Sequence, residues 1–495
     1  MQDQSKEVII KKRNIKLNMA INALKGALGV IFPLITFPYV SKVLQVENIG
    51  KYNFATSVIS YFLLIASLGI STYAVREGAK YRENREQLNR FANEIFTINM
   101  VTTVISYVLL FVLLIYVPKF KSYRELLLIL SLEIIFKTIG IDWIYSIYED
   151  YIYITLRSII FQILSLILLF LLVHKKEDYI IYAGITVFAS VGANLLNYFR
   201  SKKYCNVQLT WKFDWKKHLK PILVFFATTL TTTIYVSSDT TMLGIFCGDY
   251  SVGIYSVAVK VYSIVKTIMA STVIVAIPRM VSIASKNSRE SQSELNATAK
   301  EIFDTILTVL IPALVGIVVL APNIVRILSD ESYAAAILPL RMLAIALVFC
   351  IIAYFWAQGI LYTFGQEKRV LIGTSVSAVM NVVLNLILIP LWAQNAAALT
   401  TVISEGFTAV YFYLYGRKYM KIKGLLITIV KVCIGSCMIP IISVLINFMS
   451  LPMLVSTFLT IITSVLVYFL IEILLKNEAA YSVYKNAKKK IIKFK

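Results

Sequence analysis

Apolar runs of about 20 residues recur along the chain, separated by short breaks rich in charged or turn-forming residues. One such run spans roughly 30 Å of hydrocarbon as a helix. Within a bilayer the backbone must satisfy its own hydrogen bonds, so runs of this kind read as membrane-spanning helices. The windows fall near 18–44, 52–74, 91–117, 125–147, 151–173, 179–199, 221–246, 252–277, 301–320, 335–362, 370–391, 396–415, 424–447 and 452–475. The composition agrees: 58% of residues are hydrophobic and 15% are charged, where a soluble domain carries roughly 25% charged residues. A soluble enzyme and a single-anchor protein are both excluded.

The formal charge is +22. In a soluble chain this would suggest nucleic acid; here the placement of the charges decides, because cytoplasmic loops of membrane proteins collect Lys and Arg. Both termini and the even-numbered loops hold about 34 basic residues, and the odd-numbered loops hold about 8. The expected topology is therefore fourteen helices with both ends in the cytoplasm, short outward loops and no nucleic-acid partner. The polar, basic start MQDQSKEVIIKKRNIK gives no expectation of a cleavable signal peptide. The five cysteines include no CxxC, and Cys433 and Cys437, one turn apart in an apolar run, read as small buried thiols. His174 and His218 stand at polar segment edges, so no metal site is expected.

An internal repeat is visible. Segment 49–55, IGKYNFA, aligns with 252–258, VGIYSVA, at an offset of 203, pairing Gly50 with Gly253, Tyr52 with Tyr255 and Ala55 with Ala258. The same offset pairs Arg76 with Arg279. It advances the chain by six spans, an even number, so the copies share one orientation about an axis along the membrane normal. The expected architecture is all-α and polytopic: a lobe over 1–210, a second over 211–420, and a two-helix extension with a basic tail over 421–495. The basic linker at 200–220 falls where the lobes should join.

An ionisable side chain at membrane depth costs roughly 2.5–3.5 kcal/mol on insertion scales, so it normally faces a cavity or a partner. The first span carries Asn18, Asn22, Lys25, Gly29, Pro33 and Thr36 on one helix face, with Pro33 and Pro38 placed to bend it. The seventh is dense in Thr, from Thr228 to Thr233, and ends in Ser237, Ser238 and Asp239. The eighth shows Ser256, Lys260, Ser263 and Thr267 on one face with Lys266 beside it, and the eleventh shows Thr374, Ser377, Asn381 and Asn385. Two readings stay open. Hydroxyls in membrane helices bond their own backbone or bridge packed helices, and Arg76 and Arg279 at the cytoplasmic edge either gate or merely snorkel. Lys25 and Lys260 have no acid three or four residues away; Asp239, Glu94 and Glu405 are the nearest interior counter-charges. Interior cations suit an anionic cargo, and a diphosphate offers several oxygens to Lys.

The two repeat segments, YAVREGAK at 73–80, DTTMLG at 239–244 and GIY at 253–255 resemble the polysaccharide flippases of the Wzx type. These belong to the multidrug/oligosaccharidyl-lipid/polysaccharide exporter superfamily and are related to MurJ and the MATE transporters. The resemblance covers the whole chain and implies a bacterial cytoplasmic-membrane transporter. It would move undecaprenyl-diphosphate-linked oligosaccharide from inner to outer leaflet by alternating access, for capsule, exopolysaccharide or O-antigen synthesis. It implies a central cationic cavity, with Lys25 and Lys260 where relatives place a cation; Asn22, Lys266, Asp239 and Asn381 join them as candidate cavity residues from the polar stripes, and Arg76 and Arg279 are candidate gates. Asp239, Glu94 and Glu405 are the candidates for H⁺ or Na⁺ coupling, and no other cofactor is implied. Polysaccharide polymerase and glycosyltransferases are the implied partners. The two last spans resemble the MurJ pair that helps form a lipid-tail groove.

Two further functions fit parts of the sequence. A cation-coupled drug exporter of the same superfamily would favour acidic cavity residues such as Asp239 and Glu405, and a lipid II flippase would favour more cavity arginines. A membrane enzyme would need a sizeable outward loop, and no P-loop, nucleotide fingerprint or nucleophile triad is present.

Overall fold

The computed structural model describes residues 15–285, 289–422, 424–482 and 484–485. The main helices, in order, are α1 (Ile15–Ser67), α2 (Ile70–Gly78), α3 (Arg85–Tyr116), α4 (Arg124–Gly140), α5 (Asp142–Ile147), α6 (Tyr151–Leu172), α7 (Tyr179–Val191), α8 (Asn194–Ser201), α9 (Trp215–Phe246), α10 (Asp249–Ala284), α11 (Arg289–Leu328), α12 (Ile337–Tyr354), α13 (Glu367–Gly416), α14 (Leu425–Ser436), α15 (Met438–Asn447) and α16 (Met453–Leu474). All fourteen apolar windows lie in this helical framework. Among the described residues, eleven helical segments are long and apolar enough to cross a membrane. Two windows share α1 and two share α13, each pair meeting at one non-helical residue, Gln45 and Ala393. The window 125–147 is divided at Ile141, which takes φ 37°, ψ 43° between α4 and α5.

Apolar side chains stand outward in rows, as lipid contact requires. On α6, Leu156, Ile160, Ile163, Leu164, Ile167 and Leu171 are all exposed, a stripe that a water-soluble protein would bury. The chain is a multi-pass membrane protein. Pro33 and Pro38 sit inside α1 without a non-helical residue at either one; the break comes later, at Gln45.

The chain forms two compact units, Met1–Gly244 and Ile245–Lys495. In the first, aromatic side chains of α2, α3, α5 and the following loop make the core, among them Tyr73, Phe91, Trp143, Tyr145 and Tyr204. The basic linker is clamped onto α3. The backbone N–H groups of Asn206, Gln208 and Thr210 donate to Asn89 Oδ1, Asn93 Oδ1 and Thr97 Oγ1 at 2.9, 2.7 and 2.9 Å. The registers match because two extended residues advance about 6.6 Å and four helical residues about 6.0 Å. Burial in this linker pushes the Cys205 thiol up to about 12.

In the second unit α10, α11, α12 and α13 pack on one another, and α14–α16 pack on α11. Polar contacts fix that last attachment: Thr428 donates to Asp304 at 2.8 Å, Tyr468 donates to the Thr308 carbonyl at 2.6 Å, and Lys300 bridges Asp304 and Glu478 at 2.7 and 2.5 Å.

The repeat offset of 203 reappears in the backbone. Gln45 has φ 62°, ψ 172°, and Gly248, 203 residues on, has φ 83°, ψ −176°. This is the region of φ/ψ space that is essentially reserved for glycine. In both copies the turn releases the chain directly into the helix that carries the repeat motif, at Val46 and Asp249.

Candidate functional site

Each unit gathers polar side chains where its repeat copy meets a neighbouring helix. In the first unit α9 approaches the second half of α1. Ser60 donates to Ser237 Oγ at 2.9 Å, and Thr241 donates to Ser57 Oγ at 2.9 Å, with Tyr61 Oη 3.3 Å away. Asp239 is buried in this neighbourhood, within electrostatic reach of Tyr61. The approach needs Gly244, the last residue of DTTMLG, because a Cβ there would stand 2.1 Å from the Phe54 ring. The threonine run earlier in α9 turns back on itself: Thr229, Thr231 and Thr232 donate to carbonyls four residues upstream at 3.0, 3.0 and 3.1 Å. Those hydroxyls satisfy their own helix, as hydroxyls in membrane helices commonly do.

Glu94 belongs to a different group in the same unit. Its Oε2 lies 2.8 Å from His218 Nε2, and His218 Nδ1 lies 2.8 Å from Tyr73 Oη. His218 and Tyr73 are buried, and the Phe91 ring packs against both. The hydrogen-bonded line carboxylate–imidazole–phenol ties α3 to the start of α9 and to α2.

In the second unit the eighth window brings one cation to a carboxylate. Lys266 Nζ lies 3.9 Å from Glu405 Oε1, and Tyr262 Oη donates to the same oxygen at 3.1 Å. Glu405 is buried, Lys266 lies over the Tyr262 ring at 5.4 Å, and Cys350 and Tyr354 complete its surroundings. Lys260 is half-buried six residues earlier on α10, about 9 Å along the helix axis.

The remaining sequence candidates scatter. Asn381 is buried within α13, where Asn385 donates to it at 3.1 Å and Thr400 donates to Asn385 at 2.5 Å across the Ala393 break. Arg76 is exposed, and Arg279 is exposed in an ion pair with Glu301 at 3.6 Å. Asn22 and Lys25 belong to α1, but their side chains lie outside the described residues.

Sequence reasoning missed two groupings. His218 as the partner of Glu94 lies 124 residues away in the chain, with no spacing to announce it. Arg157, buried beside Asp142 at 3.4 Å, stands in an apolar span as a lone cation. Its depth in the window 151–173 was the available signal.

The comparisons extend these observations. Residues 15–284 match the family described as "Polysaccharide biosynthesis protein". Proteins named "Putative O-antigen transporter" match at 22% identity: over 185 residues for that of Escherichia coli (strain K12), 37% of this chain and 45% of that protein, and over 249 residues for that of Shigella dysenteriae, 50% of this chain and 62% of that protein. The chain thus spans about half the length of these relatives. Among solved structures, the lipid II flippase MurJ in an inward closed conformation superposes with TM-score 0.72 at 17% identity, covering 93% of this chain and 99% of that one. An inward-facing multidrug resistance MATE family transporter of the MOP superfamily gives 0.59 at 15% identity, covering 81% and 97%. The fold is that of these transporters, and the match over 15–284 places the chain in the polysaccharide biosynthesis protein family.

Proposed function

We propose that the protein is a flippase for undecaprenyl-diphosphate-linked oligosaccharide repeat units, carrying them from the inner to the outer leaflet for capsule, exopolysaccharide or O-antigen synthesis. The observation that carries this reading is family membership in polysaccharide biosynthesis on a chain with the fold of a lipid II flippase. The physical need is plain, since a diphosphate and its sugars cannot enter hydrocarbon unaided. It is a transporter without chemistry of its own. The proposed topology has fourteen spans, counting α1 and α13 twice among the eleven candidate helices and adding the window 125–147, and the basic-residue bias supports both termini in the cytoplasm of a bacterial cell. The glycosyltransferases that build the unit and the polymerase that uses it are the partners this role requires.

The diphosphate would be met by Lys25 and Lys260. Lys266 is already held by Glu405, so it serves the cargo only when that pair opens. Alternating access would then exchange leaflets, with Arg76 and Arg279 at the cytoplasmic edge. For coupling, a proton or Na⁺ would bind Asp239, Glu94 or Glu405. Glu94 has the added property that an imidazole between a carboxylate and a phenol can pass a proton along the line.

A second reading, cation-coupled drug export, draws on the buried carboxylates Asp239 and Glu405. Purified protein in liposomes separates the two. Labelled undecaprenyl-diphosphate oligosaccharide should appear in the opposite leaflet. Export of organic cations under a proton or Na⁺ gradient, with no movement of the lipid-linked sugar, would overturn the flippase reading.

A further inference from the structure

The first unit contains a cavity whose wall includes none of the site residues singled out from the sequence. It holds about 340 Å³ beside the turn between α5 and α6, and Asp142, Tyr151, Thr155, Arg157, Ser158 and Gln162 contribute to its wall. That volume is at the small end of the range of roughly 300–1,000 Å³ for ligand pockets. Two ion pairs stand beside it, Arg82 with Glu149 at 3.1 Å and Arg200 with Asp150 at 3.9 Å. Under the topology proposed above, this is the cytoplasmic end.

Two polar side chains in the wall are more than nine-tenths buried and incompletely bonded. Arg157 is 9% exposed and its Nε–H has no acceptor among the described residues, and Thr155 is 2% exposed with an unbonded hydroxyl. Both atoms have almost no accessible surface and so stand behind the cavity surface, where buried polar atoms without partners are rare in folded proteins. The Arg157 Nη1 and Nη2 atoms both point to Asp142 Oδ1, at 3.4 and 3.5 Å, and the Asn197 amide donates to that same oxygen. Asp142 is half-exposed, and its Oδ2 accepts no hydrogen bond from the described residues.

The lining therefore offers a charged donor, a charged acceptor, hydroxyls, an amide and one aromatic ring, with its two charges cancelling. An anion would gain from Arg157 and lose against Asp142. A neutral polyol suits the set better, because each sugar hydroxyl both donates and accepts, and the Tyr151 ring gives an apolar face for a pyranose. We propose that this cavity is a sugar-binding subsite, taking one neutral pyranose of the substrate headgroup apart from the lysines assigned to the diphosphate. The proposal rests on the flippase reading for its source of sugar, and direct binding tests it separately.

The experiment is saturation-transfer NMR on the purified full-length protein in lipid nanodiscs. The probes are methyl pyranosides of glucose, galactose, N-acetylglucosamine and rhamnose, with inorganic phosphate as a competitor. At least one pyranoside should receive saturation that Ser158→Trp, which fills the cavity, abolishes. Gln162→Leu, nearly isosteric, should weaken it by about tenfold for one lost hydrogen bond with its partner left unpaired. Excess phosphate should not displace the sugar, and Lys260→Ala should leave the signal unchanged. Thermal unfolding of both variants separates loss of the site from loss of the fold, and Gln162→Leu keeps the test alive if Ser158→Trp does not fold. Absence of any signal sensitive to these variants overturns the subsite, as does displacement by phosphate, which would mark an anion site. Lipid-linked oligosaccharide that flips in liposomes without pyranoside binding removes the subsite and leaves the function. Pyranoside binding without flipping does the reverse.

Discussion

The two copies of the repeat share the turn that launches their helices and differ in the side chains that follow it. At the same register, 203 residues apart, the first copy has Ser57 and the second has Lys260. Ser57 accepts a hydrogen bond from Thr241 and knits α1 to α9. Lys260 brings an ammonium to the corresponding turn of α10, two turns before Lys266 meets Glu405. The turns that launch the two helices match in φ and ψ, yet one is made by Gln45 and the other by Gly248. The comparison teaches that one launching turn can precede a packing hydroxyl in one copy and an ammonium in the other.

The largest expected effect is on transport. Lys260→Ala should slow flipping of the lipid-linked substrate by tenfold or more, since a charged hydrogen bond contributes about 1.5–3 kcal/mol and 1.4 kcal/mol is a factor of ten. Ser57→Ala at the equivalent position should stay within about threefold, because its bond is a packing bond of about 0.6 kcal/mol. Equal losses in the two variants would erase the division between the copies.

The turn residues give the next test, in stability rather than rate. Gly248→Gln forces a side chain into glycine's φ/ψ region and should cost about 1–3 kcal/mol. No atom would crowd the new Cβ, so the cost is conformational. Gln45→Gly should do the opposite, raising the thermal midpoint in detergent by relieving the same strain. A Gln45→Gly variant that melts lower than the parent would show that the two turns are not equivalent.

Thr241→Val removes the hydroxyl that donates to Ser57 and should lower stability by about 0.5–1.5 kcal/mol, with flipping unchanged when measured well below the midpoint. The smallest effect is a labelling control on the linker. A thiol held near 12 has about one part in ten thousand thiolate at pH 8, and thiolate is the reactive form. Cys205 should therefore resist maleimide at pH 8 until the protein is unfolded, and rapid labelling of the folded protein would show that the linker is not clamped on α3.

The fold was legible because apolar windows long enough to span hydrocarbon announce themselves, and every one of them falls in the helical framework. What the windows could not show is where helices break. Ile141 is a β-branched residue that no turn rule selects, and its neighbour Gly140 is needed elsewhere, since a Cβ there would stand 2.6 Å from the Asn194 side chain. Gln45 carries no turn signal of its own, and only its alignment with Gly248 points to it. The site was legible in residue type and not in partnership. Lys266 and Glu405 were both singled out as interior charges, but their pairing depends on the packing of α10 against α13. Glu94 with His218, and Arg157 with Asp142, are likewise contacts between helices that no spacing along the chain encodes.

In the proposed function, Lys25 and Lys260 hold the diphosphate of a lipid-linked oligosaccharide. The most direct test is flipping of labelled undecaprenyl-diphosphate oligosaccharide in liposomes by the native protein and by the Lys25→Ala/Lys260→Ala double variant, matched for insertion and thermal midpoint. The native protein should flip the substrate and the double variant should not. Flipping at the native rate by the double variant would contradict this assignment.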